Sequence, residues 1–449
     1  MDTIVALSTP MGVSGVGLIR LSGPHCLYFL QEIFGKKEVK PRYASLGKYH
    51  LQEDKSILDE VLFTFFEEGA SYTGEAMLEI SCHGNPLIIQ QILKDCLKRG
   101  CRQAEPGEFT RRAFLNGTLD LCQAEAVEDL IHARSLQAIQ LAQKQLAGSL
   151  SVQIEQFVTV LTEQIAYIEA FLDFPEEDLP EENRKMFADT LGSIQHQIQQ
   201  LIHAHEHYVP LHEGIRTVIA GIPNAGKSTL LNVLLGQERA LVSEIPGTTR
   251  DFISEYCTLT PYTLKLMDTA GLHETEDRLE TLGIAKSYEQ IQQSDIVLWV
   301  LDGSQEPVPE IELLKETLVP EKTLVFFNKS DLGFCKKYNE IFQKYTTFSM
   351  SLTKEPAFLR IKQALLQFLD HRYRNFSEDA FMIRERHVEA FTLVKKHLSQ
   401  ALYLLDKKCY DDCLAAELKE GLRALEQVVG RVDYERVLDQ IFSKFCIGK

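Results

Sequence analysis

The chain has 449 residues, 45% of them apolar and 25% charged, with a formal charge of −17. That length holds roughly two to four domains with ample core, and the acidic balance argues against a sequence-blind nucleic-acid binder, which has to neutralise phosphates with Lys and Arg. No run approaches the roughly 18 apolar residues that span a bilayer, residues 1–10 lack the basic start of an export signal, and the ten cysteines contain no C-x-x-C pair, so a cytoplasmic location with no membrane is expected.

Residues 1–118 read as an α+β domain. Runs at Gly17–Leu21, Glu60–Phe66 and Ala76–Ile80 have strand character, and one amphipathic helix is predicted near Leu87–Lys98. The glycines at 12, 15 and 17 miss the G-x-G-x-x-G spacing of a dinucleotide loop. Cys82 and His83 invite a Cys/His nucleophile, but no third partner is identifiable, and a packed core Cys–His is expected.

Residues 119–213 are helical material. Ala, Gln, Glu and Leu dominate from Leu119 to Phe174, and no proline stands between Pro106 and Pro175. Phe187, Leu191, Ile194, Ile198 and Leu201 follow at 4-3-4-3 spacing, a seam for packing on other helices. His203 and His207 have the i,i+4 spacing of a metal pair without a carboxylate–histidine frame, so a solvated helix end is expected.

The next segment carries the chemistry. Gly221, Gly226, Lys227 and Ser228 fit G-x-x-x-x-G-K-[ST], between an apolar strand at Thr217–Ala220 and a helix from Thr229 to Leu235. In that context Asn224, Ala225, Gly226, Lys227, Ser228 and Thr229 wrap phosphates with backbone N–H groups and a helix N-terminus. Lys227 adds a point charge, and Ser228 a ligand for Mg²⁺. A strand at Tyr262–Met267 ends in Asp268, Thr269, Ala270 and Gly271, the pattern of a Mg²⁺- and γ-phosphate-sensing loop. Strands at Asp295–Leu301 and Thr323–Phe327 follow, the second running into Asn328, Lys329, Ser330 and Asp331. The Asp331 carboxylate can accept both the N1–H and the 2-amino protons of guanine; facing adenine it would stay unpaired, so the nucleotide is GTP. Ser349–Ser351 is the candidate for the last guanine-contacting loop.

Between these motifs, Gly247, Thr248, Thr249, Arg250 and Asp251 suit a switch segment rather than an ordinary turn, with Thr249 joining Mg²⁺ when a γ-phosphate is present, and Ser243, Glu244, Ile245 and Pro246 just ahead of it are further candidate GTP contacts. Leu272 stands where Ras-type enzymes keep a water-orienting Gln. Hydrolysis therefore recruits another group: Glu274, Glu276 and Glu280 follow it, and Arg250 and Arg278 are candidate charge stabilisers.

Helical periodicity resumes after residue 370, with Val388, Phe391, Val394, Leu398 and Leu402, then Leu414, Leu418, Leu422, Leu425 and Val429. The expected class is α/β plus α: an N-terminal α+β domain (1–118), a helical bundle formed from two chain segments (119–213 and 371–449), and an inserted Ras-like doubly wound GTPase domain (214–370). Cys446 stands fourth from the end, but Ile447, Gly448 and Lys449 do not make a prenylation box.

The stretches Asp2–Ala6, Gly15–Arg20, Pro106–Thr110, Arg112–Asn116, Leu119–Ala126, Gly221–Thr229, Gly247–Asp251 and Phe445–Lys449 together resemble the tRNA-modification GTPase MnmE (TrmE) family along the whole chain. The resemblance implies a cytoplasmic homodimer joined through its N-terminal domains. It implies a potassium-activated GTPase that works with a flavin- and NADH-using MnmG/GidA-like FAD protein in a heterotetramer. Their joint product is an aminomethyl or carboxymethylaminomethyl group at C5 of wobble uridine in tRNA. The one-carbon donor is a tetrahydrofolate derivative, 5-formyl- or 5,10-methylene-tetrahydrofolate, at positions matched by Arg20, Glu79 and Thr118, the last often Lys in the family. By the same carry-over K⁺ is held by Asn224, Ser243, Ile245 and Thr248, Glu280 orients the attacking water, and Cys446 lies near the folate. Glu280, Lys227 and Cys446 are the expected catalytic residues. The alternative, an Era-like regulatory GTPase of ribosome assembly, would carry a KH-type RNA-binding domain with a G-x-x-G loop, and none is evident.

Overall fold

The computed structural model describes residues 2–36, 39–172, 181–237, 255–267, 290–309, 311, 315–316, 318–354, 357–373, 381–407, 411–431, 435–443 and 445–448. Contacts divide the chain into two compact units, one of residues 1–128, 145–195 and 393–449, the other of 129–144 and 196–392. Residues 1–118 fall whole within the first and residues 214–370 within the second.

The first unit begins with β1 (Ile4–Leu7), β2 (Ser14–Ser22), α1 (Cys26–Phe34), β3 (Ser45–His50), β4 (Ile57–Phe66), β5 (Met77–Gly84), α2 (Pro86–Lys98), β6 (Arg102–Gln103) and α3 (Glu108–Leu115). The strands form one sheet in the order β3-β4-β5-β2-β1-β6, antiparallel except where β6 joins β1. On β4 Val61, Phe63 and Phe65 turn inward and meet Phe29, Leu30 and Ile33 of α1 and Ile89 and Ile92 of α2 in one core. Asn85 caps α2 by accepting from Leu87 N, with Pro86 at the first helical position. Sequence reading expected one helix here, and α1 and α3 are additional. α1 is a short helix closed by Gly35 at φ 66°, and α3 buries Phe109 and Ala113 while its Arg112 reaches Glu75, Glu108 and Asp2.

The run expected as continuous helix after residue 119 is three helices, α4 (Leu121–His132), α5 (Leu136–Leu146) and α6 (Ser149–Leu172), before α7 (Glu181–Glu213). Two local caps cut it. Ser135 Oγ accepts from Ala138 N at 3.1 Å to start α5, and Gly148 takes φ +89° ahead of α6.

The second unit holds β7 (Ile215–Ala220), α8 (Lys227–Gln237), β8 (Glu255–Leu259), β9 (Tyr262–Leu266), β10 (Ile296–Asp302), β11 (Thr323–Asn328), α9 (Lys337–Ile341), β12 (Thr346–Ser349) and α10 (Ala357–Tyr373). The sheet order is β12-β11-β10-β7-β9-β8, parallel throughout apart from β8. Every residue of β10 is buried, because both faces are covered. Ile296, Leu298 and Val300 pack with residues of α8 and α10, whereas Val297, Trp299 and Leu301 pack with Tyr338 and Phe342. This is the doubly wound topology expected of the segment, with its strands' C-terminal ends gathered on one edge.

α11 (Glu385–Lys407), α12 (Asp411–Val429) and α13 (Glu435–Phe442) complete the chain. Within the first unit α12 packs on α6 from far earlier in sequence, with Lys419–Glu169 and Arg431–Glu155 ion pairs along the seam. The tail then folds back on the N-terminal sheet: Ile447 bridges Pro106, Ser8 Oγ donates to Gly448 O at 3.0 Å, and Phe445 buries its ring beside Leu121 and Phe442.

The N-terminal core also contains a buried charge pair. Arg99 and Asp95 are 1% and 4% exposed and 2.7 Å apart, and Asp95 also accepts from Tyr49 Oη and Gln52 N. Arg99→Ala would strand that carboxylate in the core, so unfolding stability should fall by about 3–5 kcal/mol, read as a lower urea midpoint.

Candidate functional site

The phosphate loop lies where β7 passes into α8, at the C-terminal edge of the sheet. Gly221 takes φ +148° and presses against the Val300 carbonyl of neighbouring β10, so a Cβ there has no room. Gly226 takes φ +108° against the Asn328 side chain, and Asn224 itself adopts the left-handed region at φ 59°. These turns bend the backbone into a cradle capped by the N-terminus of α8. Across it Lys227 Nζ donates to the carbonyls of Gly221 and Ile222, both at 2.9 Å. Burial depresses the lysine pKa, the desolvation expected of a cation placed to meet phosphate oxygens.

The guanine side is assembled from the ends of β10, β11 and β12. Asn328, buried at the end of β11, donates from Nδ2 to Ala225 O at 2.9 Å and accepts at Oδ1 from Leu352 N at 3.0 Å. One carboxamide therefore joins the phosphate loop to the loop after β12. Asp331 hydrogen-bonds with Ser351, which holds its carboxyl below the usual range, and Lys354 lies 3.7 Å from it. Of the Ser349–Ser351 candidate, Ser349 closes β12 and its carbonyl accepts from Arg360, and Ser351 follows the strand's end.

Sequence reading passed over Asp302, which closes β10 in register with Asn328. It is buried, yet Lys329 Nζ sits 2.8 Å from Oδ2 and Ser304 donates twice to Oδ1. Burial works against the charge, but Lys329 and Ser304 outweigh it and keep the carboxyl below its ordinary range. An acidic residue ending an otherwise apolar strand was the available signal. Ser243, Glu244, Ile245, Pro246, Gly247, Thr248, Thr249, Asp268, Thr269, Ala270, Gly271 and Glu280 lie outside the described residues.

In the first unit Arg20 and Glu79 stand opposite one another on β2 and β5, with Nη2 and Nε 2.7 and 2.9 Å from Glu79 Oε1. The guanidinium also lies 5.6 Å from the Tyr72 ring centre and 5.8 Å from that of Phe109. The result is a charged pair framed by aromatic faces, a donor set that fits a planar heteroaromatic ligand with polar edges. Tyr72 carried no motif, and Phe109, fully buried, lies in the Pro106–Thr110 stretch but had been given no role. The Thr118 hydroxyl bonds to the carbonyls of Ala113 and Tyr72 at 2.8 and 3.2 Å, which ties it to the Tyr72 loop. Cys446 is exposed, and its carbonyl accepts from Gly107 N directly ahead of α3, the helix that carries Phe109.

The rejected motifs have structural uses. Burial pushes the Cys82 thiol up to about 11, and it donates to Gly17 O; His83, expected in the core beside it, is instead exposed because successive strand residues face opposite sides, and its Nδ1 rests 2.7 Å from Asp59. His203 is exposed and meets Gln199, but it is not the helix end expected, because α7 runs on to Glu213; the His207 side chain lies outside the described residues.

Residues 3–118 match the family model of the GTP-binding protein TrmE N-terminus, and residues 121–446 match that of the MnmE helical domain. The chain belongs to the MnmE family. It is 44% identical over 453 residues to a protein of Opitutus terrae named tRNA modification GTPase MnmE, covering 100% of this chain and 99% of that one. Proteins with the same name from Thermoanaerobacter sp. (strain X514) and Cytophaga hutchinsonii are 36% and 37% identical, each covering 100% of this chain and 99% and 98% of their own. The family models thus account for the N-terminal domain and the helical domain, and the doubly wound sheet between the flanking helices bears the phosphate loop.

The Asn328 bridge makes a direct prediction. Asn328→Ala leaves Ala225 O and Leu352 N without their partner in a buried setting, a loss of about 1–3 kcal/mol for each. Guanine nucleotide affinity should fall about 10- to 100-fold, measured by fluorescence titration with a labelled GDP.

Proposed function

We propose that the chain is a Mg²⁺-dependent, K⁺-activated GTPase whose hydrolysis cycle serves modification of the wobble uridine of tRNA. The observation that carries this reading is the Asn328 carboxamide, which couples the phosphate loop at Ala225 to the guanine loop at Leu352. It does so in a chain whose curated relatives are named tRNA modification GTPases. Asp331 beside it offers the carboxylate that guanine's paired N–H donors require and adenine cannot use.

In this reading Lys227 exchanges its two carbonyl partners for the β- and γ-phosphates, and the Ser228 hydroxyl, with Thr249, holds Mg²⁺. Asn224 holds K⁺ together with Ser243, Ile245 and Thr248. The two cations supply positive charge opposite that developing on the transferred phosphoryl group. Glu280 orients the water that Leu272 cannot. In the N-terminal domain Arg20 and Glu79, flanked by Tyr72 and Phe109, hold a tetrahydrofolate derivative that donates the one-carbon unit, with Thr118 fixing the Tyr72 loop and Cys446 at the rim. The protein acts in the cytoplasm as a homodimer, with an MnmG/GidA-like FAD protein completing a heterotetramer on tRNA.

Two measurements test the halves separately. Glu280→Ala should slow GTP turnover by about 100-fold or more while leaving GTP affinity within a few-fold of wild type; near-normal turnover would remove Glu280 from the mechanism. Calorimetric titration with 5-formyl-tetrahydrofolate should show binding by the wild-type chain that Arg20→Ala abolishes. Failure of the wild type to bind would leave the GTPase standing without its one-carbon chemistry.

A further inference from the structure

The sheet of the nucleotide unit ends on β12, which pairs with β11 and has no second neighbour among the described residues. A strand with one neighbour turns alternate backbone N–H and C=O groups outward, where another chain can pair with them, and proteins commonly blunt such an edge with charge, proline or a covering element. Thr346, Thr347, Phe348 and Ser349 bring no charge and no proline, and three of the four are exposed. Thr346, Thr347 and Phe348 make no backbone hydrogen bond outside the ladder with β11, and the Ser349 carbonyl accepts from the Arg360 side chain. Beside the edge lies a groove of about 530 Å³, bounded by β12 and by the C-terminal half of α10. Phe348 lines it from the strand and Phe368 from the helix. Lys344, His371 and Arg372 also line it, against one carboxylate, Glu321. Arg372 is fixed there, since its Nη1 donates to Glu321 O at 3.0 Å. The groove sits at the starts of the parallel strands β11 and β12, the end of the sheet opposite the phosphate and guanine loops.

We propose that this groove is a docking site for an extended acidic segment of a partner protein, which adds to β12 as a seventh strand of the sheet. Three features select that occupant together. The open edge offers main-chain hydrogen bonds to any extended chain, which supply affinity without regard to sequence. Alternate side chains of an added strand point to opposite faces, so apolar ones reach Phe348 and Phe368. Carboxylates at the rim meet Lys344, His371 and Arg372, a local surplus of cations in a chain with a formal charge of −17, and a basic segment would face repulsion there. None of these residues belongs to the nucleotide or folate-candidate sites, so the proposal stands apart from the function proposed above.

The test uses the full-length chain and a fluorescein-labelled peptide of eight residues alternating valine and glutamate, read by fluorescence polarisation. Binding is expected with a Kd below about 100 μM. A peptide alternating valine and lysine should bind at least about tenfold more weakly. The valine–glutamate peptide with its backbone nitrogens methylated keeps the side chains and loses the main-chain donors, so it too should bind at least about tenfold more weakly. Lys344→Glu, an exposed change, should weaken the acidic peptide and strengthen the basic one by about tenfold each at an unchanged Tm. No binding of the acidic peptide at about 1 mM, equal binding of the methylated peptide, or a Lys344→Glu chain that treats both peptides as the wild type does would each overturn the proposal.

Discussion

The nucleotide unit depends on one buried carboxamide. Asn328 ends β11 with a donor aimed at the phosphate loop and an acceptor aimed at the loop after β12. The phosphate loop is bent by left-handed backbone at Asn224 and Gly226, conformations that need outside support. In a parallel sheet with both faces covered, loops at the strand ends have no ladder of their own to satisfy their polar groups. A side chain with one donor and one acceptor at a fixed spacing fills that need, and the loops are thereby held ready before any ligand arrives. Around this link Lys227, Asp302, Lys329 and Ser351 make polar contacts that recur in the same small region.

A comparable economy governs the N-terminal domain. Its sheet buries one face against α1 and α2 through alternating Val61, Phe63 and Phe65, which leaves the other face to carry Arg20 and Glu79. α3 serves two ends of the chain: Phe109 lies under the Arg20 guanidinium, and Gly107, just ahead of it, receives the tail at Cys446. Gly448 takes φ +96° against the Leu7 carbonyl, so the last turn approaches β1 more closely than a side chain would permit. Residues separated by almost the whole sequence are therefore neighbours at the folate-candidate face.

The helical part obeys the same logic with different means. α6 and α12 bury Ile154, Leu161 and Ile168 and, from the other end of the chain, Leu414, Leu418 and Leu425. Neither stripe could stay exposed on an isolated helix of this length.

Local sequence rules determined much of this protein. The phosphate loop, the NKSD corner and the strands of the nucleotide unit follow from glycine placement and apolar runs, since each requirement is met within a few consecutive residues. The four-three spacing in α7 and α12 and the core nature of Cys82 were legible for the same reason. Other features came from single-residue caps or from partners distant in sequence. The helix breaks at Ser135 and Gly148 are single-residue caps inside helix-favouring composition, and α3 depends on Arg112 reaching Glu75 and Asp2. The packing of Tyr72 and Phe109 about Arg20 and the Thr118 anchor carry no periodic signal, and the Asp302–Lys329 pair was signalled only by an acidic residue ending an apolar strand. Their roles exist only once the sheets bring strand ends together, because an ion pair or a ring contact is defined by distance in space and not by spacing along the chain.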